Sequence, residues 1–386
     1  MKTLRLFISL HWVASLLLLF SACSIHSTRS EGKDDIFDTL QSFTLPILKI
    51  ESDQSRMFYT YYGEKHQPVL VRTNQRSATQ TIYDYATKKL IDTHYWKNDS
   101  ITGLRPISVG IDTIFSFMDG SGSYVSCRIG DRYYKESIPM RPIPGRIEQK
   151  PASYQPYVIV NDKWYFVCSR LGEYPEGMKS GKERFPLLEL EKDMSHYRHF
   201  GEYPELYAHN NMGTTSQHWT PKISRSSDNQ HVIVGFSATP DIYIYEPSTD
   251  QGRWVTAKSA YVDSIPLPFT ALDRNYFVQS ESYYEFAQHS HYDQIIYDQW
   301  RNVYYRFVGL GLNDRSIEYR PFIFNLKKFV IMVMDTSFNV IGEQPIGDGY
   351  NMYHYFVTPD GLFIESKDSN ETKATFTCFK LKDNKL

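Results

Sequence analysis

Pro221-Lys222-Ile223-Ser224-Arg225-Ser226-Ser227-Asp228-Asn229-Gln230-His231-Val232-Ile233-Val234-Gly235-Phe236 reads as strand, polar turn, strand. Ile, Val and Phe suit a pleated, half-buried surface, while Ser, Asp and Asn suit a turn because their short side chains bond nearby backbone. Pro221 stands where a strand begins, a place where the missing N–H is tolerated. Asp241-Ile242-Tyr243-Ile244-Tyr245-Glu246-Pro247 then runs through Gly252-Arg253-Trp254-Val255-Thr256 as a second strand pair around a polar turn.

The same design recurs outward from this segment, at 81–91, 123–137, 187–200, 294–307 and 330–342. Helical periodicity is almost absent, and Tyr alone occurs 30 times. Short Tyr-, Phe-, Val- and Ile-rich runs separated by Gly, Pro, Asn and Asp clusters indicate an all-β chain. The repeat is too loose for a solenoid and fits propeller blades with variable loops. Arg105-Pro106-Ile107, Gln155-Pro156-Tyr157 and Arg320-Pro321-Phe322 repeat the Pro221 arrangement, and each is expected to open an innermost strand. Near the C-terminus 351–357, 361–365 and 373–381 supply three strands, and 43–50 is expected to supply the fourth, closing the ring and removing its free edges.

Thr358-Pro359-Asp360-Gly361-Leu362-Phe363-Ile364 has the same strand–turn–strand form as 221–236. With these segments and the Tyr-rich hairpins, the chain resembles TolB-like propeller lipoproteins of Bacteroidetes (domain of unknown function 4221). The resemblance implies a propeller over 43–386, expected here as six four-stranded blades, with seven as the alternative. Six blades make 259–290 a long connection. The resemblance supplies no catalytic residues.

The N-terminus points to an address. Lys2 and Arg5 precede an apolar stretch that ends in Phe20-Ser21-Ala22-Cys23. A charged start, a short apolar run and small residues at a cut describe a secretory signal over 1–22. A Cys directly after the cut is the lipobox arrangement of bacterial lipoproteins, although Leu is usual where Phe20 stands. Cys23 is therefore expected to carry fatty acyl chains, with 23–42 as a polar stalk. The expected location is the cell envelope, lipid-anchored at the outer membrane and facing periplasm or surface.

Without residues 1–22 the chain holds 40 basic against 44 acidic residues, which argues against a nucleic-acid partner. Cys127, Cys168 and Cys378 remain, with no CxxC spacing; buried thiols are expected, and a Cys127–Cys168 bridge is the alternative. Gly172-Glu173-Tyr174-Pro175-Glu176-Gly177-Met178-Lys179 imitates a phosphate-binding loop, but Met178 breaks its spacing and it reads as a surface loop.

No standard catalytic motif is present in the sequence, and no cofactor is expected. His209, Asn210, Asn211, His218 and Trp219 lie in a loop between an outer and an inner strand, which in a propeller crosses one face. Their amides, imidazoles and indole suit a sugar or peptide, and Arg105, Gln155 and Arg320 are expected beside them at the axial mouth. Satisfying loop backbone and channel water is the plainer role for these groups. His289 and His291, two apart on a strand, would share a face and could hold a metal with Asp293; solvent-facing histidines are the alternative. Glu281 and Glu285 could form an acid–base pair in an aromatic segment.

The sequence thus favours a lipid-anchored propeller that binds a ligand, a glycan or an envelope-protein partner without catalysis. A glycan hydrolase or lyase using the axial face, and a structural subunit of an envelope complex, are the alternatives. Cys23→Ser should move the protein from the membrane to the soluble fraction on cell fractionation; retention with membranes would refute the lipobox reading.

Overall fold

The computed structural model describes residues 35–383 apart from 41, 48–56, 64–66, 75–78, 96–103, 109–112, 119–122, 130–131, 139–141, 144–146, 152–156, 172–186, 193–194, 210–219, 266–283, 285 and 313–325; at 57–58, 104–151, 168–171 and 208–209 it describes backbone alone. Residues 36–386 cluster as one compact unit. Two short strands come first, β1 (Phe37–Thr39) and β2 (Phe43–Pro46). A four-stranded sheet follows, of β3 (Met57–Tyr62), β4 (Val69–Asn74), β5 (Thr79–Asp84) and β6 (Leu90–Tyr95). The next holds β7 (Leu104–Ser108), β8 (Thr113–Met118), β9 (Ser123–Ile129) and β10 (Arg132–Ile138).

Residues 142–200 form a sheet of another build: β11 (Pro142–Ile143), β12 (Ile147–Pro151), β13 (Val158–Val160), β14 (Lys163–Leu171), β15 (Leu187–Leu190) and β16 (Tyr197–Phe200). The short helix α1 (Glu205–His209) comes next. Two regular sheets follow. One is β17 (Lys222–Arg225), β18 (Val232–Gly235), β19 (Asp241–Glu246) and β20 (Gln251–Thr256). The other is β21 (His291–Asp298), β22 (Val303–Gly309), β23 (Phe329–Met334) and β24 (Val340–Ile346). The last sheet contains β25 (Tyr350–Thr358), β26 (Gly361–Ser366) and β27 (Lys373–Leu381), and both β1 and β2 pair with β27.

The chain is an all-β propeller, but six or seven uniform blades are not what it builds. Five blades are four strands deep, with β1 and β2 sharing the outermost place of the last one. The sheet over 142–200 has six strands. Its irregularity lies in β14, whose start pairs with β13 and whose end pairs with β12, so two short strands divide one edge. Turn chemistry explains half of this: Asn161 and Asp162 both adopt positive φ, at 51° and 61°, and tie β13 closely to β14. The Pro rule holds at Pro221, which immediately precedes β17, whereas Pro106 sits inside β7 opposite Ser116; Pro156 and Pro321 fall outside the described residues.

Innermost strands lie side by side around the axis: β13 touches β17, β17 touches β21, and β25 touches β3. The apolar cores fill the spaces between neighbouring sheets. One joins Tyr165, Leu187 and Phe200 to Val234 and Tyr245. A second joins Ile233 and Ile242 to Tyr292, Ile295 and Met332. A third joins Phe307 and Ile331 to Leu362 and Phe379, and a fourth joins Phe376 and Phe356 to Tyr59 and Leu70. Middle strands such as β4, β18 and β23 are buried along their whole length; β18 and β23 are accordingly continuous apolar runs instead of alternating ones, whereas β4 buries Arg72, Thr73 and Asn74 as well. The outermost β6 and β20 are mostly exposed.

Antiparallel pairing makes successive connections alternate between the two ends of a blade. The first and third connections of each blade therefore open on one face, and the second and fourth on the other. All seven non-glycine residues with positive φ, namely Lys88, Asn161, Asp162, Asn229, Asp250, Asn302 and Phe338, belong to first or third connections among the described residues. These are tight hairpins held by side-chain caps: Asp84 Oδ1 accepts from Thr87 N at 2.6 Å, and Asp335 Oδ1 accepts from Ser337 N and Asn339 N, both at 2.8 Å. The strand ends at the opposite face are those joined by the long connections, 172–186, 201–221, 257–290 and 310–328.

The ring is fastened by the N-terminus. Gln344 Oε1 accepts from both Ile36 N (2.9 Å) and Phe37 N (3.0 Å), and Lys382 N donates to Ile36 O at 3.0 Å. Phe37 and Leu45 are buried. β1 lies within 23–42, the range expected to be stalk, so the fastening starts earlier than the sequence suggested. Phe37→Ala should cost about 3–5 kcal/mol in urea unfolding by leaving a cavity against Tyr305 and Phe379. Deleting 36–46 should lower melting far more; an unchanged transition would remove β1 and β2 from the closure.

Candidate functional site

Charged and polar side chains gather at the long-loop end of two neighbouring innermost strands. Lys222 begins β17, and His291 and Asp293 stand at the start of β21. Lys327 comes in from the end of the 310–328 connection. All four are almost completely buried, from 1% exposed for His291 to 6% for Asp293. Burying charge is costly unless it is matched, so the partners define what each group can do.

Lys327 Nζ donates to the carbonyls of Phe286 (2.8 Å) and His289, and to His291 Nδ1 at 2.9 Å. Three acceptors match the three protons of an ammonium, although burial pulls its pKa well below the ordinary value. With Nδ1 accepting, the imidazole proton sits on Nε2, which faces Asp293 Oδ2 at 3.4 Å. Asp293 Oδ1 in turn lies 3.4 Å from Lys222 Nζ. Both contacts are too long for tight hydrogen bonds, and among the described residues neither His291 Nε2 nor Asp293 Oδ2 has a hydrogen-bond partner within normal range.

Burial, reinforced by the positive charge of Lys327, lowers the His291 pKa to about 4, so the ring is neutral near pH 7. Desolvation would raise the Asp293 carboxyl, but Lys222 and His291 outweigh it and hold the pKa at about 2. Asp293 also acts on the next innermost strand. Tyr353 and Tyr355 of β25 are raised well above the ordinary phenol value, by burial first and by the Asp293 charge second.

The surrounding frame fixes these groups. Gln294 Nε2 donates to Ile223 O at 3.1 Å and bridges β21 to β17. Arg306, fully buried on β22, donates to the carbonyls of Pro240 (2.7 Å), Thr239 (3.1 Å) and Phe236 (3.3 Å). Its guanidinium lies 4.1 Å from the centre of the Tyr292 ring, and burial lowers its pKa only to about 10. Gly309 pairs with His291 across the ladder, and a Cβ there would lie 2.1 Å from His291 Cε1. The missing side chain is what lets the imidazole lie against β22.

Of the candidates read from sequence, the structure brings His291 and Asp293 together. His289 sits in a bend ahead of β21, not on the strand, and contributes its carbonyl to Lys327. Among the described residues no group of three or more His, Cys, Asp or Glu is placed to hold a metal ion. His209 ends α1 and Arg105 lies in β7, both as backbone alone. Asn210, Asn211, His218, Trp219, Gln155, Arg320, Glu281, Glu285 and Cys23 lie outside the described residues. The Cys127 and Cys168 side chains do as well, while Cys378 is a buried free thiol. Sequence reading missed Lys222, Lys327 and Arg306. Each carries a signal in hindsight: a lone cation inside or beside an apolar strand, as in Val303-Tyr304-Tyr305-Arg306-Phe307-Val308.

The model of a family described as a domain of unknown function, DUF4221, matches residues 48–345. The chain belongs to the DUF4221 family. A DUF4221 member from Bacteroides vulgatus of known crystal structure superposes with a TM-score of 0.70 at 18% identity, covering 90% of this chain and 98% of that one. That likeness establishes a shared fold. A luciferin-regenerating enzyme gives a TM-score of 0.45 at 9% identity, covering 88% of this chain and 95% of its own. No curated protein matches this DUF4221 sequence.

Acid should weaken the cluster. His291 binds its proton more weakly folded than unfolded, so its contribution is complete above pH ~6.5 and disappears as the pH falls towards about 4. The Asp293 contribution is lost lower, as the pH falls through about 2. Stability measured by urea unfolding should drop by roughly 3 kcal/mol between pH 6.5 and 4 from His291 alone. His291→Gln should flatten that slope. Gly309→Ala should cost about 1–3 kcal/mol by driving the imidazole from its place.

Proposed function

We propose that this DUF4221 protein is a TolB-type propeller lipoprotein of the bacterial envelope, anchored through Cys23, that binds a ligand or protein partner at its long-loop face without transforming it. The observation that carries this reading is the polar cluster at the axial end of that face, where His291 Nε2 and Asp293 Oδ2 stand 3.4 Å apart without close partners among the described residues. Buried polar atoms that the fold leaves unmatched are where a ligand gains most by supplying the match. Lys327 and Arg306 are instead committed to backbone carbonyls, which suits a frame for binding more than a proton-transfer apparatus. In the sequence the segment 207–219, with His209, Asn210, Asn211, His218 and Trp219, comes shortly before β17 and Lys222, and its amides, imidazoles and indole suit a glycan or an envelope protein.

At least one member of a panel of glycans, peptides and envelope proteins should stabilise the full-length protein in detergent by about 2.7 kcal/mol at a hundredfold excess over Kd, read as a higher melting temperature. The bound molecule should be recovered chemically unchanged by chromatography. Steady turnover that disappears with Glu281→Gln or His209→Ala would replace this reading with an enzymatic one.

A further inference from the structure

The charge balance of the cluster narrows the chemistry of what binds there. Lys222 follows the long 201–221 connection directly, and its side chain is 5% exposed. Its ammonium has three N–H groups, yet among the described residues it makes one contact, the 3.4 Å approach to Asp293 Oδ1. A buried ammonium matched by a single long contact retains donors that need acceptors. Lys327 adds a second ammonium next to His291, and one carboxylate, Asp293, faces the pair. The imidazole between them stays neutral and cannot offset either charge. Arg306, on the neighbouring strand, spends its Nη donors on the 236–240 carbonyls and keeps its charge.

We infer that the loop-face cluster receives an oxyanion, a carboxylate or sulfate group carried by the ligand, with Lys222 as its ion partner. This rests on the binding reading above and specifies it. An oxyanion supplies several acceptor lone pairs to one ammonium, and such charge-assisted bonds are roughly twice as strong as neutral ones. Asp293 competes with the incoming anion for Lys222. It sets the resting charge of the site and limits affinity for weakly basic anions such as chloride. Removing it should therefore strengthen anion binding, whereas removing Lys222 should weaken it. A residue that merely supported the fold would not split the two variants in opposite directions.

The test is isothermal titration of the full-length protein in detergent at fixed ionic strength, with glucuronate, glucose sulfate and neutral glucose as probes. One or both charged probes should bind, and glucose should bind at least about tenfold more weakly. The stronger charged probe identifies the group as carboxylate or sulfate. Lys222→Gln should weaken the charged probe by about tenfold or more, and Asp293→Asn should tighten it. Melting temperatures without ligand identify a variant that fails to fold, in which case the other variant decides. Equal binding of glucose and glucuronate, unchanged affinity in Lys222→Gln, or weaker binding in Asp293→Asn would each overturn the inference. So would a protein that ignores all three probes yet is stabilised by a neutral glycan or a peptide, and that result would leave the binding reading intact.

Discussion

A sheet ends in two rows of unpaired backbone groups, and a ring of sheets is stable only if its first and last members are joined. Here that joint consists of β1 and β2 laid along β27. The partners are far apart in sequence: Phe37 pairs with Leu381 and Phe43 with Phe376, so the loop closed by these contacts spans nearly the whole domain. Closing so long a loop is entropically costly, and the cost grows slowly with length. The joint is correspondingly dense. Gln344 accepts two backbone N–H groups ahead of β1, Ile36 packs against the bare backbone of Gly342, and Phe43 lies within aromatic contact of Phe356, Phe363 and Phe376.

Between the other sheets, long polar side chains reinforce apolar packing by reaching backbone carbonyls or polar side chains of the neighbouring blade. Arg306 takes the carbonyls between β18 and β19, and Arg301 donates to Thr358 O and Pro359 O of the last blade. Tyr85 reaches from the first blade to Asp360, and Arg198 spans from β16 to Tyr245 and Asp250. These contacts specify which loop lies against which strand, a role that apolar packing alone fills poorly. They also explain why so many charged residues sit in strands that otherwise read as core.

The strand pairs, the polar turns and the partnership of the two chain ends were all legible from residue type and spacing. The 221–236 segment became β17 and β18 as read, and the last three strands fell where their patterns put them. Two things were not legible. Blade uniformity fails at β14, because whether one nine-residue strand serves two partners depends on tertiary pairing that no local pattern records. The cluster was half visible: the spacing of His289 and His291, with Asp293 beside them, drew attention to β21, but the neighbours of His291 and Asp293 come from β17 and from the approach to β23. Lys222 and Lys327 are 105 positions apart in the chain, and only the ring brings them to one place.

The direction of β27 has a consequence for how the molecule is presented. This strand runs from Lys373 at the long-loop face to Leu381 at the face of tight hairpins, and β1 meets it at the Leu381 end. The chain therefore enters the propeller on the hairpin side, opposite the cluster. Phe37 and the Leu381 end of β27 thus lie on the side of the capped hairpins, away from the strand ends that carry Lys222 and His291.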